Sequence, residues 1–472
     1  MKRELCAVFL AICCSAKAQQ PSDIYNKALK DVLTDVEKTF HVKVIYKGKL
    51  QDTTVKYATW RFTPEVSHTL DNILYPLGLG YRELGKDTYL VTSYEYYRRS
   101  DAEGKKHLAE LLTAYPDAVA FDKRKAALRK SMLMTLGINR FDKRTPLNPI
   151  IRKKIKMEGY TVRNVAFESI PGYFVCGTLY MPIKAVKPYP VILSPNGHFY
   201  GKGESLTAEG SGRYGKDEQY LCAALAKMGA IVFNYDMYSW GESALLSGSP
   251  AFHETNFALA IQTWNSTRAL DFLLSIPNAD KSRIGVTGAS GGGTQTFLLG
   301  ALDGRVTATA PVVMVSSSYY GGCPCESGLP IHEGCDGHKT NNTEIAALIA
   351  PKRQLIISDG SDWTQSVPGT DYPYLKKVYD FYGKEADVEN VHLPNDGHDY
   401  GFSKRVPVYH FFANTFGLNI SKLYNEAGQI SESGCTIQKA AAMHVFSDRH
   451  TLPANALKGH EAIKMAFGTY QQ

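Results

Sequence analysis

Two hydrophobic periodicities divide the chain. Between Ser22 and Ser93, Ile24, Leu29, Val32, Leu33, Val36 and Phe40 recur at helical spacing. "VKVIY" and "TTVKYATWRF" follow and read as strands. Thr63-Pro64 opens a second helix, with Thr63 as N-cap and Pro64 in the first turn. Val66, Leu70, Ile73, Leu74 and Leu77 line one face of it. "YRELGKDTYLVTS" then folds back around Gly85-Lys86-Asp87 as a strand pair. The predicted order is helix, two strands, helix, two strands, which makes residues 20–98 a small α+β module. Residues 99–150 are charged and helical in pattern and predict a connector.

From Tyr160 the pattern changes to strands alternating with helices. The strand-like runs are "YTVRNVAFESI", "YFVCGTLYMPI", "YPVILSPNG", "AIVFNYDM", "RIGVTG", "TATAPVVMVSS", "RQLIISDG" and "DVENVHLPN". "PVILS", "AIVFNY" and "QLIIS" lack alternation, as parallel strands buried on both faces do. The expectation is an α/β domain over residues 151–418, with a mostly parallel sheet of about eight strands. Residues 419–472 are an extension in which "CTIQKAAAMHVF" predicts a strand and "GHEAIKMAF" a helix, without evident chemistry.

Composition narrows the function. With 472 residues, 44% hydrophobic and 21% charged, the chain has material for two or three globular domains. The net charge of +7 includes a Lys/Arg run from Lys123 to Lys156. No aromatic-interleaved basic motif of a nucleic-acid surface accompanies it, so it reads mostly as a solvated helix face. "MKRELCAVFLAICCSAKAQQ" has a basic start, a short apolar core and the A-x-A site Ala16-Lys17-Ala18. Residues 1–18 therefore predict a cleaved export signal and a periplasmic or secreted protein. The apolar run is too short to span a bilayer. Bulky Ile12 ahead of Cys13 disfavours a lipoprotein.

The chemistry centres on "RIGVTGASGGGTQT". A strand ends and a helix begins around Gly288-x-Ser290-x-Gly292, the strand–turn–helix setting of a nucleophile elbow. A serine hydroxyl needs a base to accept its proton. In this arrangement the acid and then the histidine follow the serine along the chain. "QLIISDGSDWT" supplies Asp362, with Asp359 and the later Asp371 as alternatives. "VHLPNDGHDYG" supplies His398 on a loop beyond a strand, whereas His392 lies within that strand. Asp396 and Asp399 flank His398 as turn residues. The oxyanion donors expected are the backbone N–H of Gly291 and that of His198 in "SPNGHFYGKGE", with Phe199 next. In "NYDMYSWGES", Tyr238 and Trp240 could wall a sugar cleft or serve only loop packing. Glu326, Asn341 and Asn342 could reach substrate from a lid, or serve as turn and helix-cap residues.

Collinear blocks over residues 145–418 carry a family resemblance. They include "GYTVRNVAFESIPGYFVCGTLYMP", "LCAALAKMGAIVFNYDMYSWGES", "SRIGVTGASGGGTQTFLLGALD", "TNNTEIAALIAPKRQLIISDGSDWT" and "HDYGFSKR". This stretch resembles the α/β-hydrolases known as acetylxylan esterases and their dienelactone-hydrolase-like relatives. The resemblance implies a serine esterase acting on acylated carbohydrate or another small ester, with no cofactor. Phe199 departs from the Trp that many relatives carry after the histidine. The N-terminal pattern resembles the short module of secretins and TonB-dependent receptors, which implies an envelope contact. Two other readings stay open: a serine peptidase on the same fold, and a non-catalytic envelope docking protein.

Of nine cysteines, three fall in the signal. Cys176 and Cys222 lie in strand-like and helix-like runs and predict core positions. Cys323, Cys325, His332 and Cys335 form C-x-C-x6-H-x2-C, which has ligand types suited to zinc but not a familiar zinc spacing. In an exported protein the thiols could equally pair as a disulfide or remain free, and no metal is assigned.

Overall fold

The computed structural model describes residues 26–46, 53–56, 58–74, 77, 79–93, 99–198, 211–326, 329–332 and 338–472. The export signal, Ile24, Phe199 and Cys335 lie outside the described residues. The chain divides into two compact units, Met1–Glu95 and Tyr96–Gln472. Among the described residues no helix is long and apolar enough to cross a membrane.

In the first unit, helix Leu29–Phe40 buries Leu29, Val32, Leu33 and Val36, and helix Val66–Leu74 buries Leu70, Ile73 and Leu74. Both contribute to one apolar cluster with Val44, Tyr89 and Val91 of a three-stranded sheet. There, Thr88–Ser93 pairs in parallel with Lys43–Ile45 and antiparallel with Leu79–Gly85. "TTVKYATWRF" departs from the expected strand. Among its described residues only Thr54–Val55 is extended, against Lys27–Ala28, and Ala58–Arg61 is a 3-10 turn. Arg61 holds that turn by donating to the carbonyls of Lys56 and Asn72, both at 2.8 Å. Thr63 stands ahead of the helix rather than at its cap, where its N–H donates to Thr69 Oγ1 at 2.9 Å.

Among the described residues, the second unit is built on a ten-stranded sheet. Its strands are β1 (Ile150–Ile151), β2 (Ile155–Lys156), β3 (Tyr160–Ile170), β4 (Tyr173–Pro182), β5 (Tyr189–Pro195), β6 (Ile231–Tyr235), β7 (Ala279–Ala289), β8 (Ala308–Val312), β9 (Arg353–Asp359) and β10 (Val388–Leu393). The spatial order is β10-β9-β8-β7-β5-β6-β4-β3-β1, with β2 also on β3. Strands β5 to β10 are mutually parallel, and β1 to β4 pair antiparallel. Eight strands coincide with the runs read from sequence. The other two span two residues each, too few for any periodicity to register.

The strand order reverses at β5, which lies between β6 and β7. Their outgoing loops part there and leave a crevice at the carboxyl edge, the usual ligand site of an open α/β sheet. The predicted connector lies against the same core. Helices Asp101–Ala114 and Ala118–Thr135 bury Leu108, Leu111, Phe121, Leu128 and Met132 in it, together with Tyr115 just after the first helix. The C-terminal segment also belongs to this unit. "CTIQKAAAMHVF" contains one helical turn, Ala440–Met443, in place of a strand, while His460–Gln471 is a helix burying Ile463 and Phe467. The segment pairs with no strand among the described residues. Val445 and Phe446 instead donate their N–H groups to the Glu242 carboxylate at 2.9 and 2.7 Å.

Candidate active site

Ser290 stands between β7 and the helix Gly291–Leu302, at φ 55° and ψ −124°. A side chain in that region costs on the order of 1–3 kcal/mol and persists only when its surroundings over-determine it. Here the Ser290 N–H donates to Val312 O, and its carbonyl accepts from Thr294 N–H, both at 3.0 Å. The neighbouring glycines answer to space. A Cβ on Gly288 would lie 2.3 Å from the Pro195 carbonyl oxygen, and one on Gly292 would lie 2.2 Å from it. The loop leaving β5 thus rests directly on the elbow.

His398, beyond β10, places Nε2 2.9 Å from Ser290 Oγ and Nδ1 2.6 Å from Asp362 Oδ2. Asp362 lies three residues past the end of β9. Its other oxygen accepts from the Thr364 N–H at 2.6 Å and hydroxyl at 2.5 Å, which fixes the carboxylate's orientation. The other acids face elsewhere. Asp359 accepts from Ser361 N–H at 3.0 Å and lies 3.5 Å from Lys404 Nζ. Burial, then the Asp362 charge, raises its carboxyl. Asp371 is buried and accepts from Ser317 N–H and the Thr343 hydroxyl. His392 meets Ser358 Oγ at 2.9 Å. Asp396 accepts from Ser403, and Asp399 from Gly401 N–H and Lys404.

Ser290 and His398 open into a cavity of about 320 Å³ lined also by His198, Trp240, His253, Tyr319, Cys323, Glu326 and Trp363. Trp363 packs on His398 with ring centroids 4.6 Å apart and stacks on Tyr319 at 3.9 Å. Of the candidates for substrate contact, Trp240 and Glu326 line the cavity, and three others do not. Tyr238 is buried among Tyr173, Phe257 and His460, with its hydroxyl 2.8 Å from His460 Nδ1. Asn341 caps a helix by accepting from Glu344 N–H at 2.9 Å. Asn342 lies 2.7 Å from His332 Nε2 and donates to Tyr319 O at 3.0 Å. Apolar packing claims Tyr238, a helix-cap bond claims Asn341, and His332 and the Tyr319 carbonyl claim Asn342 before substrate can reach them.

Sequence reasoning missed Trp363, Tyr319 and His253. Trp363 had a signal, since it directly follows Asp362; the other two lie in loops without a pattern. The His198 imidazole is also engaged in its own right. Its Nδ1 lies 2.8 Å from Glu326 Oε1, and its ring abuts Gly291, where a Cβ would be 2.9 Å from Cε1. Burial works to raise the Glu326 carboxyl, but His198 and the Gly322 N–H outweigh it and hold it below the ordinary value. Burial, reinforced by His198, lowers His253 to about 3, so its imidazole is neutral at physiological pH. Cys323 and Cys325 are joined as a disulfide, while Cys176, Cys222 and Cys435 are buried free thiols. His332 lies away from that pair, stacked on Tyr320.

A buried charge network supports the Trp240 loop. Arg213 donates from Nε to Asp236 at 2.7 Å and from Nη2 to Glu242 at 2.5 Å, and from Nη1 to Met443 O at 2.7 Å. Burial pushes Asp236 up to about 6 even though Arg213 pulls it down. Gly241, at φ 54°, lies so close to the Asp236 carboxylate that a Cβ would be 2.5 Å from Oδ1.

No protein-family model and no curated protein matches the chain. Among solved structures, Methylesterase BT1017 is 40% identical, with a TM-score of 0.74, covering 96% of this chain and 100% of that one. The chain belongs to the family of that methylesterase. It is an α/β-hydrolase-fold enzyme that hydrolyses carboxylic esters. A glucuronoyl esterase from Solibacter usitatus is 17% identical with a TM-score of 0.47, covering 64% of this chain and 94% of its own. An acetyl xylan esterase from Paenibacillus sp. R4 is 17% identical with a TM-score of 0.38, covering 63% and 95%. At those values neither bears on the substrate.

Proposed function

We propose that Ser290 is the nucleophile, His398 the general base and Asp362 the orienting carboxylate of a serine esterase acting on methyl-esterified sugar acids. The observation that carries this reading is the chain of two contacts, 2.9 Å from Ser290 Oγ to His398 Nε2 and 2.6 Å from His398 Nδ1 to Asp362 Oδ2, opening on the cavity. Ser290 Oγ forms a bond to the ester carbonyl carbon while His398 Nε2 takes its proton. The Gly291 and His198 N–H groups hold the oxyanion, the first at the start of a helix whose dipole favours negative charge. Collapse breaks the bond to the alkoxide, which leaves as the alcohol with the proton from His398. Water, deprotonated by the same imidazole, then cleaves the acyl-enzyme. Asp362 accepts from Nδ1–H throughout and stabilises the imidazolium.

The methyl ester follows from the name of the 40% identical relative. A methyl ester carried by a carbohydrate requires a sugar carboxylate. The aromatic surfaces of Trp240 and Trp363 suit a sugar ring, whose apolar faces pack on aromatic rings. O-acetyl esters are the second reading, favoured by the block resemblance to acetylxylan esterases. Residues 20–98 are proposed as an envelope-contact module of the secretin and TonB-receptor type on a protein exported to the periplasm or beyond. Residues 99–472 are proposed as the catalytic domain, since the predicted connector and C-terminal extension share its core.

The experiment supplies the full-length enzyme with a methyl-esterified oligogalacturonide and an acetylated xylo-oligosaccharide, and measures methanol and acetate release. Methanol release, reduced about 10³-fold or more in Ser290→Ala, is expected. Acetate release alone would transfer the assignment to O-acetyl esters. Release of either product at the wild-type rate by Ser290→Ala would refute the catalytic assignment.

A further inference from the structure

Four side chains from three segments converge in the cavity wall. His198 follows β5, His253 lies in the 3-10 turn Pro250–Glu254, and Cys323 and Cys325 lie in the loop after β8. One potential ligand atom from each lies within 4.8 Å of all the others. His198 Nε2 is 2.6 Å from His253 Nε2, 3.2 Å from Cys325 Sγ and 3.8 Å from Cys323 Sγ.

The far nitrogens fix what the near ones offer. His198 Nδ1 lies 2.8 Å from Glu326 Oε1, and His253 Nδ1 lies 2.6 Å from the Tyr238 carbonyl oxygen. A carboxylate and a carbonyl only accept, so each Nδ1 carries a proton and each ring turns its Nε2 towards the other ring and the two sulfurs. The two Nε2 atoms then face one another at 2.6 Å, a separation at which a shared proton or a metal ion draws both. A carboxylate or carbonyl on the far nitrogen is also how metal-binding imidazoles are held.

We infer that, when the Cys323–Cys325 disulfide is reduced, His198 Nε2, His253 Nε2 and the two sulfurs bind one divalent ion of the zinc class. A dithiol reductant supplies the two electrons and two protons that break the S–S bond, and is itself oxidised to a disulfide. Metal binding then displaces the two thiol protons, leaving two thiolates and two neutral imidazoles around a dication. Two sulfurs and two imidazole nitrogens suit tetrahedral zinc. Four protein ligands leave no open position, so the ion clamps three loops of the cavity wall together and takes no part in the chemistry. The inference stands apart from the choice of ester.

The test uses the full-length chain. It is reduced with dithiothreitol without oxygen, freed of reductant, mixed with Zn²⁺ or Co²⁺ and gel-filtered, and bound metal is measured by mass spectrometry. The reduced protein should retain about one ion per chain, and the unreduced protein less than about a tenth of that. With cobalt it should show the thiolate charge-transfer band and the visible absorption of a tetrahedral site. Cys325→Ser and His253→Ala should each weaken retention ~10-fold or more. Reduced wild-type protein that keeps no metal, or a cobalt complex without the thiolate band, would overturn the site whether or not the variants fold. So would full retention in the folded double variant Cys323→Ser/Cys325→Ser.

Discussion

Gly292→Ala tests how the elbow is held. The added Cβ would lie 2.2 Å from the Pro195 carbonyl oxygen and 3.0 Å from the Asn196 carbonyl carbon. Real Cβ atoms essentially never approach a heavy atom closer than 3.0 Å, so the two backbones must part by at least 0.8 Å. Neither side has a flexible tip that can turn away. The loop from Pro195 carries His198, a proposed oxyanion donor, and Gly292 lies two residues from Ser290. A displacement near 1 Å between such groups costs about 10² in rate, and forcing an extra methyl into a packed site costs about 1–3 kcal/mol of stability. The expected result is kcat about 100-fold lower with a smaller change in KM, measured on an aryl ester, and a lower Tm. Gly304→Ala is the control, because a Cβ there meets nothing within 4 Å. Wild-type kcat in Gly292→Ala would refute the argument that the β5 loop and the elbow are positioned by direct backbone contact.

Three other predictions follow from the same geometry. Asp362→Asn should lower kcat/KM by about 10³–10⁴ through the wrong His398 tautomer, while Asp359→Asn stays within about tenfold, because Asp359 faces Ser361 and Lys404; comparable losses in both would contradict the assignment. Arg213→Met strands the buried Asp236 and Glu242 and should cost about 3–5 kcal/mol in urea unfolding; an unchanged midpoint would show that the network does not support the Trp240 loop. Glu218 is buried and raised to about 8, first by burial and then by Asp217. Its folded form therefore holds a proton that the unfolded chain releases near pH 4.5. Its stabilising contribution is complete below that pH and is lost as pH rises towards about 8, by at most about 5 kcal/mol. Glu218→Gln should flatten the fall in Tm across that window, and an unchanged slope would contradict it.

How much of this was legible in the sequence depended on range. The eight long strands declared themselves because apolar runs such as "PVILS" and "QLIIS" need burial on both faces. The two-residue strands at Ile150 and Ile155 carried no periodicity. The stretch after Gln51 looked β-rich, yet a long strand did not form, since local Arg61 bonds satisfied its turn instead. Ser290, Asp362 and His398 could be named because chain order and strand–loop position restrict them. Tyr238 and Asn342 could not be sorted in advance, because their partners His460 and His332 lie in other segments, while Asn341 takes the helix-cap role that was its alternative. His253 and His198 meet across 55 residues, a separation that no spacing rule on cysteines could reveal.

The central claim is that Ser290 Oγ is the atom that attacks the ester, made nucleophilic by His398. Treating the full-length enzyme with a fluorophosphonate and sequencing its peptides by mass spectrometry tests this directly. The account predicts a single adduct on Ser290, absent in Ser290→Ala and formed far more slowly in His398→Ala. Stoichiometric labelling of another residue with loss of activity, or labelling of Ser290 at the wild-type rate without His398, would contradict it.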